Sequence, residues 1–260
     1  FLDDVGPTYS RWLLLSGFVA VYMFATGHNA AQPNRSSLHQ FYRSRLARTY
    51  VSTGNSPDHN VAPKHLRFST SPLTPTDLSN TTSIGKINEF WDGDDVALGD
   101  YRPHERGGPI HLIGCCINQT VDDRTGGYNA DRKGVNLTVS SLGVELGTRD
   151  PVPDLDLNRS GLAQWIAISG AAVGPGMGSA SRFGLSALSF LTGVRLGYWW
   201  SRPGQPLYRR LFDKYLSTLE EWFGKFPGLG SSRVYVSDGG HFDNTGVYTL
   251  LKRKPEFILA

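Results

Sequence analysis

Cysteine is nearly absent from the sequence: only two occur in 260 residues, and they are adjacent, at Cys115 and Cys116. Vicinal cysteines cannot adopt ordinary disulfide geometry, so the chain has neither a disulfide framework nor a CxxC metal pair. Charge is also scarce. Charged residues make up 19 % of the chain, and the net charge is only +3. This balance gives no sign of a strongly basic face, so no nucleic-acid partner is expected.

The sequence also lacks a hydrophobic run long enough to cross a bilayer. The longest uncharged apolar stretch covers residues 12–26, whereas a spanning helix needs about 20 residues. Residues 1–27 are therefore interpreted as a hydrophobic segment that is either part of the core or close to a membrane. Phe1 is not a start methionine, and residues 257–260 are apolar. We expect the chain to be a segment of a longer protein.

Glycine and proline are plentiful, with 30 and 15 residues. Residues 51–106 are rich in Ser, Pro, Asn and Asp with little periodicity, which predicts a loop-rich surface insertion. Residues 109–117 form a nearly continuous apolar run typical of a strand covered on both faces, and residues 135–139 alternate like a half-buried strand.

Three stretches have helical spacing. The first begins with capping-box spacing at Ser37 and Gln40. It is expected to turn Leu38, Phe41, Tyr42 and Leu46 inward. The second covers residues 161–172 and has a face of small residues, with a cap expected from residues 158–160. The third, residues 206–223, places an apolar stripe on one side, which predicts that this side is buried.

The last part of the chain predicts a β-α-β unit. Residues 233–237 have the pattern of a strand, residues 246–253 that of a helix capped by Asp243 or Asn244, and residues 256–260 that of a second strand. The separation of the two strands is sufficient for a right-handed parallel crossover. The predicted fold class is therefore α/β.

The candidate chemistry lies directly after the first of these strands. In open α/β sheets the reactive crevice lies beyond the carboxyl ends of the strands, and here Asp238 is followed by two glycines. Glycines allow a tight turn to bring backbone close to a carboxylate. The alternative is that Asp238 only caps a turn.

Residues 234–253 resemble the Asp-Gly-Gly segment of patatin-like phospholipases, most closely the large multi-domain branch related to cytosolic phospholipases. Residues 167–178 look like the small-residue helix and proline turn that precede this motif in the family. Residues 37–46 look like a segment that this branch carries between its nucleophile and that helix. The resemblance spans residues 34–260, with the middle loop unmatched.

The resemblance implies a three-layer sheet with helices on both faces, of which residues 28–260 would be the C-terminal portion of the catalytic domain. It implies a lipid acyl hydrolase, a carboxylic ester hydrolase with a Ser-Asp dyad. Asp238 would accept the serine proton directly. The implied substrate is a lipid or another acyl ester, with no cofactor and no metal, and a membrane surface is a further partner. The expected location is at a membrane, otherwise in the cytoplasm.

The sequence departs from the family in having no Gly-x-Ser-x-Gly motif. The nearest match, around Ser169, has alanines where the glycines belong. We therefore expect the nucleophile and the glycine-rich oxyanion loop upstream of Phe1, and expect the chain alone to be inactive.

Three alternatives remain open from the sequence. One is a Ser-His-Asp hydrolase built from Ser169 and His241, although local hydrogen bonds that hold the loop are the expected role of His241. Another is a metal site formed by Asp238, His241 and Asp243, whose spacing matches no established ligand pattern. The third is a lipid-binding or scaffold protein that keeps the fold without catalysis.

Overall fold

The computed structural model of the protein describes residues 7–51, 94–121, 130–147, 160–201 and 210–259. The strands in this part of the chain are β1 (Ile113–Asn118), β2 (Gly134–Ser140), β3 (Gly143–Leu146), β4 (Tyr198–Ser201) and β5 (Arg233–Asp238). The α-helices there are α1 (Pro7–Thr26), α2 (Gln32–Arg35), α3 (His39–Leu46), α4 (Leu162–Ser169), α5 (Phe183–Thr192), α6 (Asp213–Phe223) and α7 (Val247–Arg253).

The five strands form one sheet in the order β3-β2-β1-β5-β4, and each of its pairings is antiparallel. The mixed α/β class is confirmed. The predicted parallel crossover is wrong, since residues 254–259 form no strand, and Phe257 and Leu259 are 86 % and 99 % exposed. The reason lies in the sheet order: β1 and β4 already occupy both edges of β5, so a following strand cannot pair beside it.

Alternate strand residues contact opposite sides of the sheet. One side packs on α4 and forms the main apolar core, whose sheet residues include Cys115, Ile117, Val135, Leu137, Val139, Val234 and Val236. On the other side, Tyr235 packs with Trp199 and Phe226. On this side too, the hydroxyl oxygens of Thr138 in β2 and Thr249 in α7 lie 2.9 Å apart. Strand β2 is therefore buried on both faces, not half-buried as its alternation predicts.

Helix α3 forms where it was predicted, but its inward face is polar. His39 and Ser44 are buried, and of the residues predicted to face inward Tyr42 and Leu46 are partly buried whereas Leu38 and Phe41 are exposed. The predicted capping box is also absent: the Ser37 hydroxyl donates to the Asn34 carbonyl at 2.8 Å and accepts the His39 N–H. Polar anchoring explains the reversal, because the His39 ring contacts the Leu196 carbonyl at 2.6 Å and so ties α3 to the chain leading into β4.

Helix α4 receives its N-terminal cap from a residue far away in the sequence. Asp95 Oδ1 accepts the Ala163 N–H at 2.9 Å, and Asp95 Oδ2 accepts from Arg43 of α3 at 2.9 Å. In the predicted local cap, Asn158 lies outside the described residues, and Ser160 instead accepts the Trp165 indole N–H. Of the loop-rich insertion predicted at residues 51–106, residues 52–93 lie outside the described part of the chain. Asp95, which caps α4, belongs to the described end of this segment.

Helix α6 has its polar face inside and its apolar face outside. Asp213, Ser217 and Glu221 are buried, and the opposite face exposes an apolar stripe made by Phe212, Leu216, Leu219 and Phe223. The predicted inward stripe is therefore found only in part: Leu211, Tyr215 and Trp222 are partly buried, and residues 206–209 of the predicted helix lie outside the described residues. Two buried guanidinium groups explain the orientation: Arg195 pairs with Glu221, and Arg233 donates to Ser217 at 2.7 Å.

Helix α1 covers most of the hydrophobic segment predicted at residues 1–27. It is a single helix, and large apolar side chains along its length are exposed. It contacts α6 at its C-terminal end, where the Thr26 and Tyr215 hydroxyl groups lie 2.7 Å apart and Gly27 accepts the Lys214 N–H. Among the described helices, none combines the length and hydropathy needed to cross a membrane.

Candidate functional site

Asp238 is the last residue of β5 and is only partly buried. Because side chains alternate along a strand, Asp238 falls on the same side as Val234 and Val236, which face α4. Its Oδ1 accepts the Gly240 N–H at 2.6 Å, while no described residue donates a hydrogen bond to Oδ2. One carboxylate oxygen is thus anchored, and the other is available as an acceptor.

The two glycines after Asp238 are required by close contacts. A Cβ at Gly239 would lie 2.6 Å from the Gly114 carbonyl oxygen of β1. A Cβ at Gly240 would lie 2.8 Å from Asn244 Oδ1 and 3.1 Å from Asp238 Oδ1. The loop therefore packs directly on β1 and closes tightly around the carboxylate, a geometry that residues with a side chain would disturb.

Two hydroxyl groups lie near Asp238 on the α4 side. Ser169, at the end of α4, donates to the Gly114 carbonyl at 2.7 Å. Tyr42 of α3 donates to the Gly170 carbonyl at 3.2 Å, and a Cβ at Gly170 would lie 2.6 Å from the Tyr42 oxygen, which explains the small residues predicted here. Burial, followed by the charge of Asp238, raises the pKa of Tyr42, so this phenol is neutral and can donate.

A chain of hydrogen bonds supports the loop from the other side of the sheet. Asn118 Oδ1 accepts the Gly178 N–H at 2.7 Å, and its amide donates to Ser237 Oγ at 2.7 Å. Ser237 Oγ in turn lies 2.8 Å from His241 Nδ1, and His241 Nε2 lies 3.2 Å from the Ala172 carbonyl. Since a carbonyl only accepts, Nε2 carries the proton, and the ring fastens the loop locally as predicted.

No protein-family model, curated protein or solved structure matches this chain. The function of the site must therefore be inferred from its residues.

Burial lowers the pKa of His241, an effect that the charge of Asp238 partly offsets. The neutral imidazole with both nitrogens engaged is suited to holding Asp238 in place.

The structure does not bring together the residues of the alternative triad. The Ser169 hydroxyl donates to Gly114, whereas the two His241 ring nitrogens contact Ser237 and Ala172. A general base must lie within hydrogen-bond reach of the proton that it removes. Ser169 and His241 do not meet this requirement in the described arrangement.

Asp243, the third residue of the alternative metal site, caps helix α7. Its Oδ2 accepts the Tyr248 N–H at 2.7 Å, and its Oδ1 accepts both the N–H and the hydroxyl of Thr245. Within the described ranges, no group of three His, Cys, Asp or Glu side chains is arranged to hold a metal ion.

The vicinal cysteines lie in β1 beside the site but are not reactive thiols. Both are free and fully buried, and Cys115 pairs in register with Asp238. Burial, with the Asp238 charge as a further cause, raises the pKa of Cys116 to about 12 and also that of Cys115. Because the thiolate is the nucleophilic form, these residues serve as small core side chains.

Sequence reasoning missed Tyr42 and Asn118 as parts of this site. Tyr42 lies within the segment at residues 37–46 that resembles the family, and Asn118 closes the apolar run of β1. A polar residue at the end of a buried strand is a usable signal, because it must find partners at the edge of the sheet. The partners themselves, Ser237 and Gly178, are distant in sequence.

Proposed function

We propose that the chain supplies the carboxylate base of a lipid acyl hydrolase that uses a Ser-Asp dyad. Asp238 is that base, and the nucleophilic serine comes from outside these 260 residues. The substrate class is a carboxylic ester of a lipid. The single observation that carries the proposal is the Asp238 carboxylate, fixed through Oδ1 by Gly240 with Oδ2 available.

The proposed reaction needs a carboxylate acceptor held at a fixed position. Asp238 Oδ2 accepts the serine hydroxyl proton while the serine oxygen attacks the ester carbonyl. The alcohol then leaves with the proton, and an acyl-serine remains. Water hydrolyses this ester by the reverse proton path, releasing the fatty acid and restoring the serine. The tight Gly239 turn holds the carboxylate for both steps.

The three-layer arrangement with helices on both faces is part of the same proposal. It is supported by α4 on one side of the sheet and by the contact of α7 with β2 on the other. In this arrangement Asp238 stands at the carboxyl end of β5, directly before the two-glycine turn. A membrane is the proposed location, since the substrates are lipids.

The test is hydrolysis of a p-nitrophenyl acyl ester by the full-length protein that contains this chain. Asp238→Asn is expected to lower the rate on the order of 10²- to 10⁴-fold with an unchanged far-UV spectrum. Asp100→Asn, at an exposed carboxylate outside the site, is the matched control and should leave the rate unchanged. Full activity of Asp238→Asn would overturn the proposal.

Two further outcomes separate the alternatives. Loss of activity in Ser169→Ala, together with hydrolysis by the 260 residues alone, would indicate the Ser169 triad in place of the dyad. A full-length protein that binds lipid but hydrolyses no ester would indicate the non-catalytic lipid-binding alternative.

A further inference from the structure

The exposed side of α6 continues across a second helix. On α6, Leu216 and Leu219 are 51 % and 52 % exposed, because the polar side of the helix is the one that is buried. On α5, the Phe183 ring stacks on Phe223 of α6 with centroids 5.9 Å apart. The exposed apolar residues of these two neighbouring helices, here named the α5–α6 face, are Phe183, Leu185, Leu188, Leu191, Phe212, Leu216, Leu219 and Phe223.

The charges around this face have one sign. Arg182 lies immediately before α5, and Arg210 and Lys225 lie on either side of α6; all three are exposed. The acidic residues of α6 point away from solvent, since Asp213 and Glu221 are buried. The third, Glu220, is half-buried, and burial raises its pKa to about 8, so it is largely neutral at pH 7. The face is therefore apolar, with a cationic border.

We propose that the α5–α6 face docks on the surface of an anionic lipid bilayer. Amphipathic surfaces bind membranes by burying apolar side chains at the boundary between headgroups and acyl chains. Basic residues near the surface add attraction to anionic lipid. A second copy of the chain is a poorer occupant, because a two-fold interface would place cationic borders against each other.

Helix α1 adjoins this face and has matching properties. Its C-terminal end is fastened to the first turns of α6 through the Thr26–Tyr215 contact, and Arg11 is its one charged residue. Most of its side chains beyond Arg11 are apolar, and large ones from Trp12 to Phe24 are exposed, a pattern that favours an apolar environment. The docking proposal goes beyond the hydrolase proposal and does not depend on Asp238.

The test is co-sedimentation of the protein with phosphatidylcholine vesicles and with mixed phosphatidylcholine–phosphatidylserine vesicles. The double variant Leu216→Gln/Leu219→Gln removes two exposed leucines from the face and should weaken partitioning on the order of ten- to one-hundred-fold. Leu142→Gln is the matched control, because this leucine is 62 % exposed in the turn between β2 and β3. It should partition like the parent protein.

A charge variant tests the border separately. Arg182→Gln/Lys225→Gln should weaken binding to the mixed vesicles on the order of ten-fold and leave binding to pure phosphatidylcholine nearly unchanged. Equal partitioning of the leucine double variant and the parent would overturn the proposal, even if substitutions in α1 abolished binding. A dimer that Leu216→Gln/Leu219→Gln dissociates would also overturn it, in favour of a second copy. Asp238→Asn should bind vesicles normally, which separates this result from the hydrolase test.

Discussion

Ser237 Oγ lies 2.8 Å from His241 Nδ1, on the side of the ring away from the Ala172 carbonyl. The opposite nitrogen, Nε2, faces the Ala172 carbonyl at 3.2 Å and must donate. Ser237 can therefore donate to Nδ1 while it accepts from Asn118. The histidine beside the candidate carboxylate is a neutral brace for the loop.

This arrangement predicts that His241 is the Nε2–H tautomer at pH 7. ¹⁵N NMR of the imidazole should show a protonated Nε2 and an unprotonated Nδ1. Ser237→Ala should keep the Nε2–H tautomer, because the Ala172 carbonyl still requires a donor, and should lower the free energy of unfolding by about 1 kcal/mol. Ser179→Ala, at an exposed serine, should change neither property. A protonated Nδ1 in the parent protein would contradict the assigned network.

The packing of the Asp238 loop on β1 predicts a strong effect of a single methyl group. Gly239→Ala would place Cβ 2.6 Å from the Gly114 carbonyl oxygen, so the loop or the strand must move. The free energy of unfolding should fall by about 1–3 kcal/mol, as measured by urea denaturation. Gly184→Ala is the control, because nothing lies within 4 Å of its Cβ and the position is helical. A loss of stability no larger than that of the control would refute the close approach.

The buried His39 predicts a loss of stability in acid. Its Nε2 accepts from the Gln164 amide at 2.6 Å, and burial lowers its pKa from 6.5 to about 4. The unfolded chain therefore binds a proton first as the pH falls. The neutral His39 therefore contributes its full stabilisation of the fold above pH ~6.5. This stabilisation is lost between pH ~6.5 and ~4, which lowers the free energy of unfolding by about 3 kcal/mol.

Urea denaturation across this pH range measures the effect. His39→Asn should be less stable than the parent at pH 7, and its stability should fall less steeply between pH ~6.5 and ~4. His28→Gln, at an exposed histidine, should retain the parent slope. Parallel slopes for the parent and His39→Asn would contradict a neutral buried imidazole.

The carboxyl group of Glu220 predicts the opposite pH dependence of stability from His39: the protein should lose stability as the pH rises. Burial is the main cause that raises its pKa to about 8; Asp213 and Glu221 act in the same direction, and Arg233 opposes them. The folded state thus holds the proton more tightly than the unfolded state, whose carboxyl titrates near 4.5. The protonated carboxyl stabilises the fold at low pH, and this contribution is lost as the pH rises toward 8.

Thermal unfolding between pH 5 and pH 9 tests this prediction. Glu220→Gln mimics the neutral carboxyl, so its melting temperature should decline less with rising pH than that of the parent. Glu256→Gln, at an exposed carboxylate, serves as the matched control and should follow the parent curve. The same decline in all three proteins would show that Glu220 is not protonated in the folded state.

The sequence by itself determined the elements that depend on local pattern. The apolar run that contains β1, the helical spacing of α4 and the turn of two glycines after Asp238 were all readable from neighbouring residues. Local sterics and periodicity decide such features. The candidate carboxylate was found in this way, and so was the role of Asp243 as a cap.

Tertiary structure alone decided which face each helix buries and which strands pair. The apolar stripe of α6 predicted an inward face, but Arg195 and Arg233 turn its polar face inward because buried guanidinium groups require partners. Likewise, the Asn34 side chain bonds both main-chain groups of Trp199 on the edge strand β4, at 3.0 and 2.8 Å. These contacts join residues 16 to 165 positions apart, and the pattern within a single helix or strand carries no information about a partner on another element.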